Sequence, residues 1–439
     1  MLGPDLTRRR TLALLAAAAA VTPAARAAAP GDKLDGWAPD GAPLQGTFTL
    51  SNATILSHTG QTVAGGVRVE GGTIVEVGAG VTGGEDLGGA WIAPGFTNAG
   101  CQIGLVEVGA VNSSRDDRVS GDAVTADAHV IDGYNPLSDV IPTTRANGFT
   151  HALVVPSESH LVTGQAAVVQ LAGLTRDEAT TLAPAGLCIN LGGSGRGEGL
   201  SSRIAVARRL RQLLDEAPEP PPPDDGKKRR RKKKDGEGGG DDDLSAAERT
   251  WKAVRAGKMK ALIKAERLDD IHTALDFIRD YELDGVLVGC AEGYLAAERI
   301  AGAGVPILLG PLEVQPSSFE HPHAIYENAA RLHAAGVRFA VRSSGVHFAR
   351  MLPSYVGMAV AHGLPFEAGI QAITANPGEI LGLGSQHGRL EVGAPATFFQ
   401  VDGDPLQPRY PVRRVWMAGR QASLETRQTR LLERFRTLR

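Results

Sequence analysis

The amino-acid sequence predicts an α/β protein built on a (β/α)8 TIM-like barrel, with further β structure at both ends of the chain. The middle of the chain alternates short apolar stretches with amphipathic ones, which indicates parallel strands joined by helices. Repetition on this scale favours a closed barrel over an open sheet. The flanking segments, from Gly46 to about Trp91 and from Ala396 to Met417, have the pattern of short strands separated by turns.

The barrel strands come from apolar, β-branched runs bounded by turn residues. Six of them are predicted at 151–155, 187–190, 259–263, 285–288, 305–309 and 338–341, after a first strand near Trp91–Ile103. The remaining strand is uncertain, and Ala166–Leu171 is the candidate for it. Amphipathic helices are expected between these strands, at 268–281, 292–303 and 323–335.

Composition is that of an ordinary globular protein. The 439 residues are 42% hydrophobic and 22% charged, with a formal net charge of -3. This length allows one large domain, or one with a small companion. The near-neutral charge gives no case for a nucleic-acid partner. Three cysteines in such a chain do not make a disulfide scaffold, so each is expected to be a small buried side chain. Cys101 and Cys290 are expected near one end of the barrel without a bond between them.

The first 27 residues have the pattern of a twin-arginine signal peptide. Arg8, Arg9 and Arg10 precede an apolar run from Leu12 to Val21, and Ala25-Arg26-Ala27 offers a cleavage site. The run is shorter than the ~20 residues that a membrane-spanning helix needs. We therefore expect a periplasmic or secreted protein that has no membrane association after cleavage, with an uncleaved anchor as the alternative.

Residues 218–243 belong to neither strand nor helix pattern. The segment joins a proline run, the basic run Lys227–Lys234 and the acidic run Asp241–Asp243, and it has no apolar residue to bury. This composition predicts a disordered, charged insertion. Since its positive and negative charges nearly cancel, a solvated loop is favoured over a site for a polyanion.

Three stretches carry longer motifs. They are Trp91–Ile103; Ile263–Ile271 with Val286–Tyr294; and Ala372–Leu383, continued through Gly388–Gly393 to Gly403–Leu406. They resemble the first-strand, fifth- and sixth-strand, and C-terminal motifs of the amidohydrolase superfamily, in particular its imidazolonepropionase-like members. The resemblance covers nearly the whole chain that follows the signal, except the insertion. It implies a barrel over 93–387 and a small β-sandwich made from 46–92 and 388–422, with a C-terminal helix over 423–439.

The resemblance also implies one or two divalent metals at the C-terminal mouth of the barrel, where they activate a water. This chain departs from the family at each matched ligand position. Gly100 and Gln102 stand for the H-x-H pair, Lys264 for the fifth-strand His, Gly289 for the sixth-strand His and Ser344 for the eighth-strand Asp. Glycine has no ligand atom, an amide is a poor ligand for zinc, and an ammonium repels a cation. We therefore expect no metal cofactor, with a divalent metal such as zinc as the alternative.

Two functional classes stay open. The first is an exported binding or accessory protein, a pseudoenzyme that keeps a ligand pocket at the barrel mouth; the pocket residues would be Gln102, Lys264, Glu266, Arg342, Ser344 and His347. The second is a hydrolase acting on carbon–nitrogen, non-peptide bonds; its non-standard site would draw on Lys264, Glu266, Ser344 or Glu107. No nucleophile–base pair is recognisable by spacing, which favours the first class.

The expected partner is a small molecule. Lys264 would supply the charge that a metal gives in relatives, and would hold an anionic or carbonyl ligand. The competing interpretation is a structural salt bridge between Lys264 and Glu266, two residues apart on one face of a strand. The resemblance leaves self-association into a homo-oligomer open.

Overall fold

The computed structural model describes residues 46–193, 199–219, 243–313, 320–436 and 438. The predicted signal peptide over 1–27 lies outside the described residues, as does nearly all of the predicted insertion, at 220–242. Both therefore stay predictions. Within the described ranges, no helix is long and apolar enough to cross a membrane.

The strands form two sheets of eight. The first half of the chain contributes β1 (Thr47–Leu56), β2 (Thr62–Glu70), β3 (Thr73–Gly78), β4 (Glu85–Asp86), β5 (Trp91–Pro94), β6 (Phe96–Cys101), β7 (Phe149–Val154), β8 (Val162–Gln170) and β9 (Thr180–Asn190). The second half contributes β10 (Ala261–Ala265), β11 (Gly285–Gly289), β12 (Ile307–Leu309), β13 (Phe339–Val341), β14 (Phe398–Val401), β15 (Val412–Met417) and β16 (Arg420–Ala422).

The helices connect the strands and cover the barrel. They are α1 (Val130–Gly133), α2 (Val140–Arg145), α3 (Arg176–Ala179), α4 (Arg203–Asp215), α5 (Ala246–Arg255), α6 (Leu268–Asp280), α7 (Ala297–Ala303), α8 (Asn328–Ala334), α9 (Leu352–Ala361), α10 (Phe366–Ile373), α11 (Ala375–Leu381) and α12 (Arg427–Arg436). Short 3-10 turns lie at Asn112–Ser114, Gly293–Ala296 and Ala349–Met351.

One sheet joins the two ends of the described chain. Its order is β16-β15-β14-β5-β1-β2-β3, with β4 paired to β1. The joint is the antiparallel pairing of β14 with β5, in which Phe398 lies opposite Pro94. Phe398 also packs against Trp416 of β15, with ring centroids 5.0 Å apart. The flanking β segments of the sequence therefore form one unit, as the fold class predicted.

The other sheet is a nearly closed barrel. Strands β6 to β13 follow one another around it in chain order, and a parallel bridge between Cys101 and Ser344 brings the two edges together. This confirms the predicted α/β barrel with a separate sheet unit.

One barrel strand differs from the expected parallel arrangement. The candidate strand at Ala166–Leu171 overlaps the second half of β8, which runs antiparallel to both β7 and β9. The reason is the connection over 155–161, because a parallel crossover needs a dozen or more residues and usually a helix. Gln170, the C-terminal residue of β8, therefore lies at the opposite end of the barrel from the mouth.

Alternation along the strands decides which side chains fill the barrel. Leu262 of β10, with Val286 and Val288 of β11, belongs to an enclosed apolar cluster together with Ala99, Leu153, Val168, Leu308 and Ala340. Ile263 belongs instead to the larger cluster beneath the helices. Since side chains two residues apart on a strand share a face, Lys264 points into the barrel like Leu262.

Polar side chains shorten two of the predicted helices. The helix expected over 323–335 begins only at Asn328, and the one expected over 292–303 is regular only from Ala297. Asn328 Oδ1 accepts from the Tyr294 backbone N–H at 2.9 Å, and its amide donates to the Cys290 carbonyl at 2.9 Å. Glu292 accepts from the backbone N–H groups of Leu268 and His323. These bonds fix the intervening segments in turns.

The three cysteines are free. Cys101 and Cys290 are both buried, and Cys188 is half-buried. Burial raises the pKa of the Cys101 thiol to about 12, so this thiol is un-ionised and behaves as a small apolar side chain.

Replacing Gly148 by alanine should destabilise the contact between the barrel and the terminal sheet. Gly148 has φ +87°, and a Cβ there would lie 2.9 Å from the Phe399 ring. Left-handed strain and overpacking together should cost roughly 2–4 kcal/mol in the free energy of unfolding. Gly336→Ala is the control, because Gly336 has φ +79° and no heavy atom within 4 Å of the added Cβ. Urea unfolding of both variants measures the difference; equal losses would contradict the packing argument.

Candidate functional site

Four charged side chains meet at the C-terminal mouth of the barrel. Lys264 lies near the end of β10 and Glu266 just after it; Arg342 directly follows β13, and Glu158 lies in the loop after β7. The Glu158 carboxylate bridges the two cations, since Oε2 accepts from Lys264 Nζ at 2.5 Å and Oε1 accepts from the Arg342 guanidinium. Lys264 Nζ also lies 3.9 Å from Glu266 Oε1. We call these four residues the mouth network.

The network is largely screened from water. The Arg342 side chain is 2% exposed, while those of Lys264 and Glu158 are 16% and 21% exposed. Burial alone would raise the pKa of Glu158, but the charges of Arg342 and Lys264 outweigh it and lower this pKa to about 2. Burial likewise opposes the charge on Lys264, but Glu158 and Glu266 raise its pKa above the usual value. Both groups are therefore ionised at neutral pH.

Glu266 differs from Glu158 in the direction of its pKa shift. Burial raises the pKa of Glu266, and the charge of Lys264 only partly offsets that effect. Its Oε2 accepts from the Ala291 backbone N–H at 3.1 Å, which orients the carboxyl group. Glu266 is thus the carboxyl group of the network that takes up a proton more easily.

Two glycines make room for the network. A Cβ at Gly289, where φ is +90°, would lie 2.4 Å from Glu266 Oε1. A Cβ at Gly100 would lie 3.0 Å from Arg342 Nε. These are two of the positions at which the resemblance implies metal-binding histidines. A side chain at Gly289 would displace the Glu266 carboxylate, and one at Gly100 would make a tight contact with Arg342.

Gln102 has its described hydrogen-bond partner outside the mouth network. Its side-chain amide donates to Asp117 Oδ2 at 3.2 Å. Asp117 is buried and also accepts from Arg115 and Arg118. Gln102 therefore belongs to a second ionic group, which holds the loop after β6.

The other predicted site residues, Ser344, His347 and Glu107, do not belong to the mouth network. Ser344 has φ +60° and donates its backbone N–H to the Gly100 carbonyl at 3.0 Å, so it closes the barrel. His347 is exposed. Glu107 lies in the loop after β6, and its Oε1 is buried without a hydrogen-bond partner among the described residues. No described contact joins Ser344, His347 or Glu107 to the network.

Sequence reasoning missed Glu158, the main partner of Lys264. The two residues lie 106 positions apart, and Glu266 was the nearer carboxylate on the same strand face. The available signal was its place in a loop that follows a predicted strand, because such loops line the mouth of a barrel. Asn98 was also missed as a structural group; its amide donates to Ser343 Oγ at 2.8 Å and joins β6 to the segment after β13.

The space beneath the network is small. A narrow cavity of about 20 Å³ is lined by Glu158, Lys264 and Arg342, with apolar walls that include Ala99, Cys188, Leu262, Val288 and Leu308. A cavity of this size has room for about one water. A larger ligand would have to displace a side chain of the network.

The residues at the mouth do not fit the metal that the resemblance implies. Across the described parts of the chain, no three His, Cys, Asp or Glu side chains are grouped so that they could hold an ion. Of the two carboxylates present, Glu158 is bound by two cations and Glu266 by a backbone N–H and Lys264. The side chains that fill the ligand positions are thus themselves cations or their partners.

Replacing Glu158 by glutamine should destabilise the protein. The variant leaves Lys264 and Arg342 close together without their shared counter-charge, which should cost roughly 3 kcal/mol or more in the free energy of unfolding at pH 7. A carboxyl group with a lowered folded-state pKa stabilises above its unfolded pKa, and this contribution disappears as the pH falls through the folded value. The difference from wild type should therefore shrink between about pH 4.5 and pH 2.

Urea unfolding across this pH range is the measurement. The matched control is Glu298→Gln, which removes an exposed carboxylate on α7 and should change stability by less than about 0.5 kcal/mol. A loss for Glu158→Gln that equals the loss for the control would show that the network contributes little to stability.

Comparison with known proteins comes from solved structures. No protein-family model and no curated protein sequence matches the chain. An amidohydrolase from Thermotoga maritima MSB8 is 26% identical, with a TM-score of 0.76, over 85% of this chain and 99% of that one. A prolidase complexed with N-methylphosphonate-L-proline is 15% identical, with a TM-score of 0.54, over 86% of this chain and 100% of that one. Molinate hydrolase is 15% identical, with a TM-score of 0.52, over 87% of this chain and 95% of that one.

The likenesses to the prolidase and to molinate hydrolase show a shared fold. The Thermotoga amidohydrolase shares the fold and is also 26% identical in sequence, over 99% of its own length. The chain belongs to the amidohydrolase superfamily.

Proposed function

We propose that this protein is exported, does not carry out the metal-dependent hydrolysis of its superfamily, and acts by binding a small molecule at the barrel mouth. The observation that supports this most directly is the mouth network, whose members fill or crowd the expected ligand positions Gly100, Lys264 and Gly289. The twin-arginine pattern before residue 28 supports export.

The charges of the network argue against a divalent ion. Lys264 and Arg342 carry two positive charges, and the ionised Glu158 between them carries one negative charge. The network therefore has no excess of negative charge that would attract a metal, whether or not Glu266 carries a proton. A divalent cation would meet two fixed cations within a few ångströms, and the repulsion is strong where water is excluded.

The same charges favour an anionic or carbonyl ligand. Lys264 and Arg342 have only hydrogen-bond donors, and both donate to one carboxylate. A small external carboxylate offers the same acceptor atoms as Glu158. Since the cavity has room for about one water, such a ligand would bind in exchange with the Glu158 side chain. In the competing, purely structural interpretation, Glu158 never leaves.

A non-standard hydrolase of carbon–nitrogen bonds is the second candidate. Glu266 favours it, because burial raises the pKa of this carboxyl group beside the Lys264 ammonium, and a raised pKa suits a general acid. Ser344 and Glu107 make no described contact with this pair. Assays on simple amides, ureas and cyclic imides would support the hydrolase if turnover were lost in Glu266→Gln.

Purified protein should contain much less than one zinc, iron or manganese per chain, even after growth in metal-supplemented medium. The physical reason is the set of cations and occupied carboxylates at the mouth. Elemental analysis before and after chelation measures the content. About one ion per chain, whose removal lowers the melting temperature, would refute the proposal.

Small carboxylates should stabilise Glu158→Gln more than they stabilise the wild type. The substitution removes the internal acceptor but keeps both donors, so acetate or succinate at millimolar concentration should raise the melting temperature of this variant. Lys264→Met should abolish the response. Lys260→Met is the control, because Lys260 pairs with Asp284 just before β10 and outside the mouth.

The outcome separates the two interpretations of the network. If carboxylates shift the melting temperature of neither the wild type nor Glu158→Gln, ligand binding at Lys264 should be abandoned. The network would then be structural only.

A further inference from the structure

A second, larger cavity lies at the opposite end of the barrel from the mouth network. Its volume is about 470 Å³, and it lies where the beginning of β7, the end of β8 and the segment over 383–389 meet the terminal sheet. Its lining shares no residue with the cavity beside Lys264. Ligand pockets in proteins commonly have volumes of ~300–1,000 Å³. The cavity is thus large enough for a small organic molecule.

Two neighbouring histidines belong to its wall, which also carries the uncharged polar side chains of Thr150, Gln170, Thr181, Ser385, Gln386 and Thr397. The rings of His151 and His387 pack edge to face, with centroids 4.7 Å apart. His151 Nδ1 lies 3.0 Å from Thr150 Oγ1, and His387 Nε2 lies 2.9 Å from Thr97 Oγ1. Among the described residues, the second nitrogen of each ring, His151 Nε2 and His387 Nδ1, has no hydrogen-bond partner.

The hydroxyl of Thr150 lies between two groups. Thr150 Oγ1 is 3.3 Å from the Phe96 carbonyl oxygen and 3.0 Å from His151 Nδ1. When the hydroxyl donates to the carbonyl, Thr150 Oγ1 accepts from His151 Nδ1–H. Burial and the neighbouring His387 hold the pKa of His151 well below its usual value, so the ring is neutral. In this tautomer Nε2 is an unprotonated acceptor, and it is the tautomer that the proposal uses.

The second nitrogen of His387, Nδ1, can either donate or accept a hydrogen bond. Burial lowers the pKa of this ring to about 4, so it is also neutral at pH 7. Thr97 Oγ1 has no other described partner than His387 Nε2, and its hydroxyl can donate to that nitrogen or accept from it. His387 Nδ1 can accordingly act as donor or acceptor.

The charge of the wall selects against ions. Arg389 is the one residue with a formal charge among the described residues that line the cavity. It pairs with Glu379 and lies 3.7 Å from Glu391, so its charge is balanced. Leu383, Pro395 and Met417 contribute apolar side chains to the wall. The wall therefore combines apolar surface with uncharged polar groups, which suits an uncharged small molecule.

We propose that this cavity binds a small uncharged organic molecule that donates an N–H or O–H hydrogen bond to His151 Nε2 and rests its apolar part against Leu383 and Met417. The edge-to-face packing of the imidazoles favours this occupant over a metal ion, since no third His, Cys, Asp or Glu ligand is grouped with them in the described chain. The site is independent of the mouth network and of any function there.

Benzamide is a suitable probe, because it is uncharged, aromatic and carries N–H donors. The full chain, labelled with 15N in its histidine rings, is titrated with benzamide, benzoate and toluene at millimolar concentration and neutral pH. Benzamide should shift the His151 and His387 ring resonances saturably. Benzoate and toluene, which lack a donor, should bind about tenfold more weakly or not at all.

Two variants isolate the free ring nitrogens. His151→Asn keeps a donor near the position of Nδ1 for Thr150 but removes Nε2, and should weaken benzamide binding about tenfold or more. His387→Gln keeps a group near the position of Nε2 for Thr97 and removes Nδ1. His129→Asn, at an exposed histidine outside the cavity, should bind like wild type. Thermal unfolding checks that each variant is folded.

If a variant does not fold, the benzamide titration of the wild type tests the proposal by itself. The absence of a saturable shift at His151 and His387 up to the solubility limit of benzamide would overturn the proposal. Unchanged affinity in a folded His151→Asn would also overturn it. A titration in which zinc chloride, and not benzamide, broadens both resonances would replace it with a metal site.

Discussion

The barrel mouth depends on the balance of buried charge around Glu158. The Arg342 side chain is almost completely inaccessible, and a guanidinium in such a place is tolerated only when it is paired and hydrogen-bonded. Glu158 supplies that pairing for Arg342 and Lys264 at once. The loop after β7, the end of β10 and the segment after β13 are thereby held together, so the position of each depends on this one carboxylate.

Substitutions at the family's ligand positions act as one set. Gly289 leaves space for the Glu266 carboxylate, and Gly100 leaves space for the Arg342 side chain. Lys264 forms an ion pair with Glu158. A histidine at Gly289 would therefore have to displace the Glu266 carboxylate, and one at Gly100 would crowd Arg342. In the function that we propose, fixed ammonium and guanidinium groups take the place of the metal ion that the resemblance implies.

The sequence predicted the parts of this arrangement that follow from local periodicity. Alternation along β10 places Lys264 on the inner face with Leu262, and apolar runs mark most barrel strands. The partner of Lys264 could not be predicted in the same way, because Glu158 is distant in sequence and reaches the cation through the path of a loop. The reversal of β8 was equally hidden, since an apolar strand has the same composition in either direction. The pair formed by His151 and His387 joins a barrel strand to the segment before the terminal sheet, and no spacing in the sequence relates them.

The most direct test of the central claim is a crystal structure of the purified full chain grown with zinc, with anomalous diffraction recorded at the zinc edge. We expect the Glu158 carboxylate to lie between Lys264 and Arg342 and Glu266 to lie beside Gly289, with no anomalous peak at the mouth. An anomalous peak bound by Glu158 and Glu266, with the Lys264 side chain turned away, would contradict it.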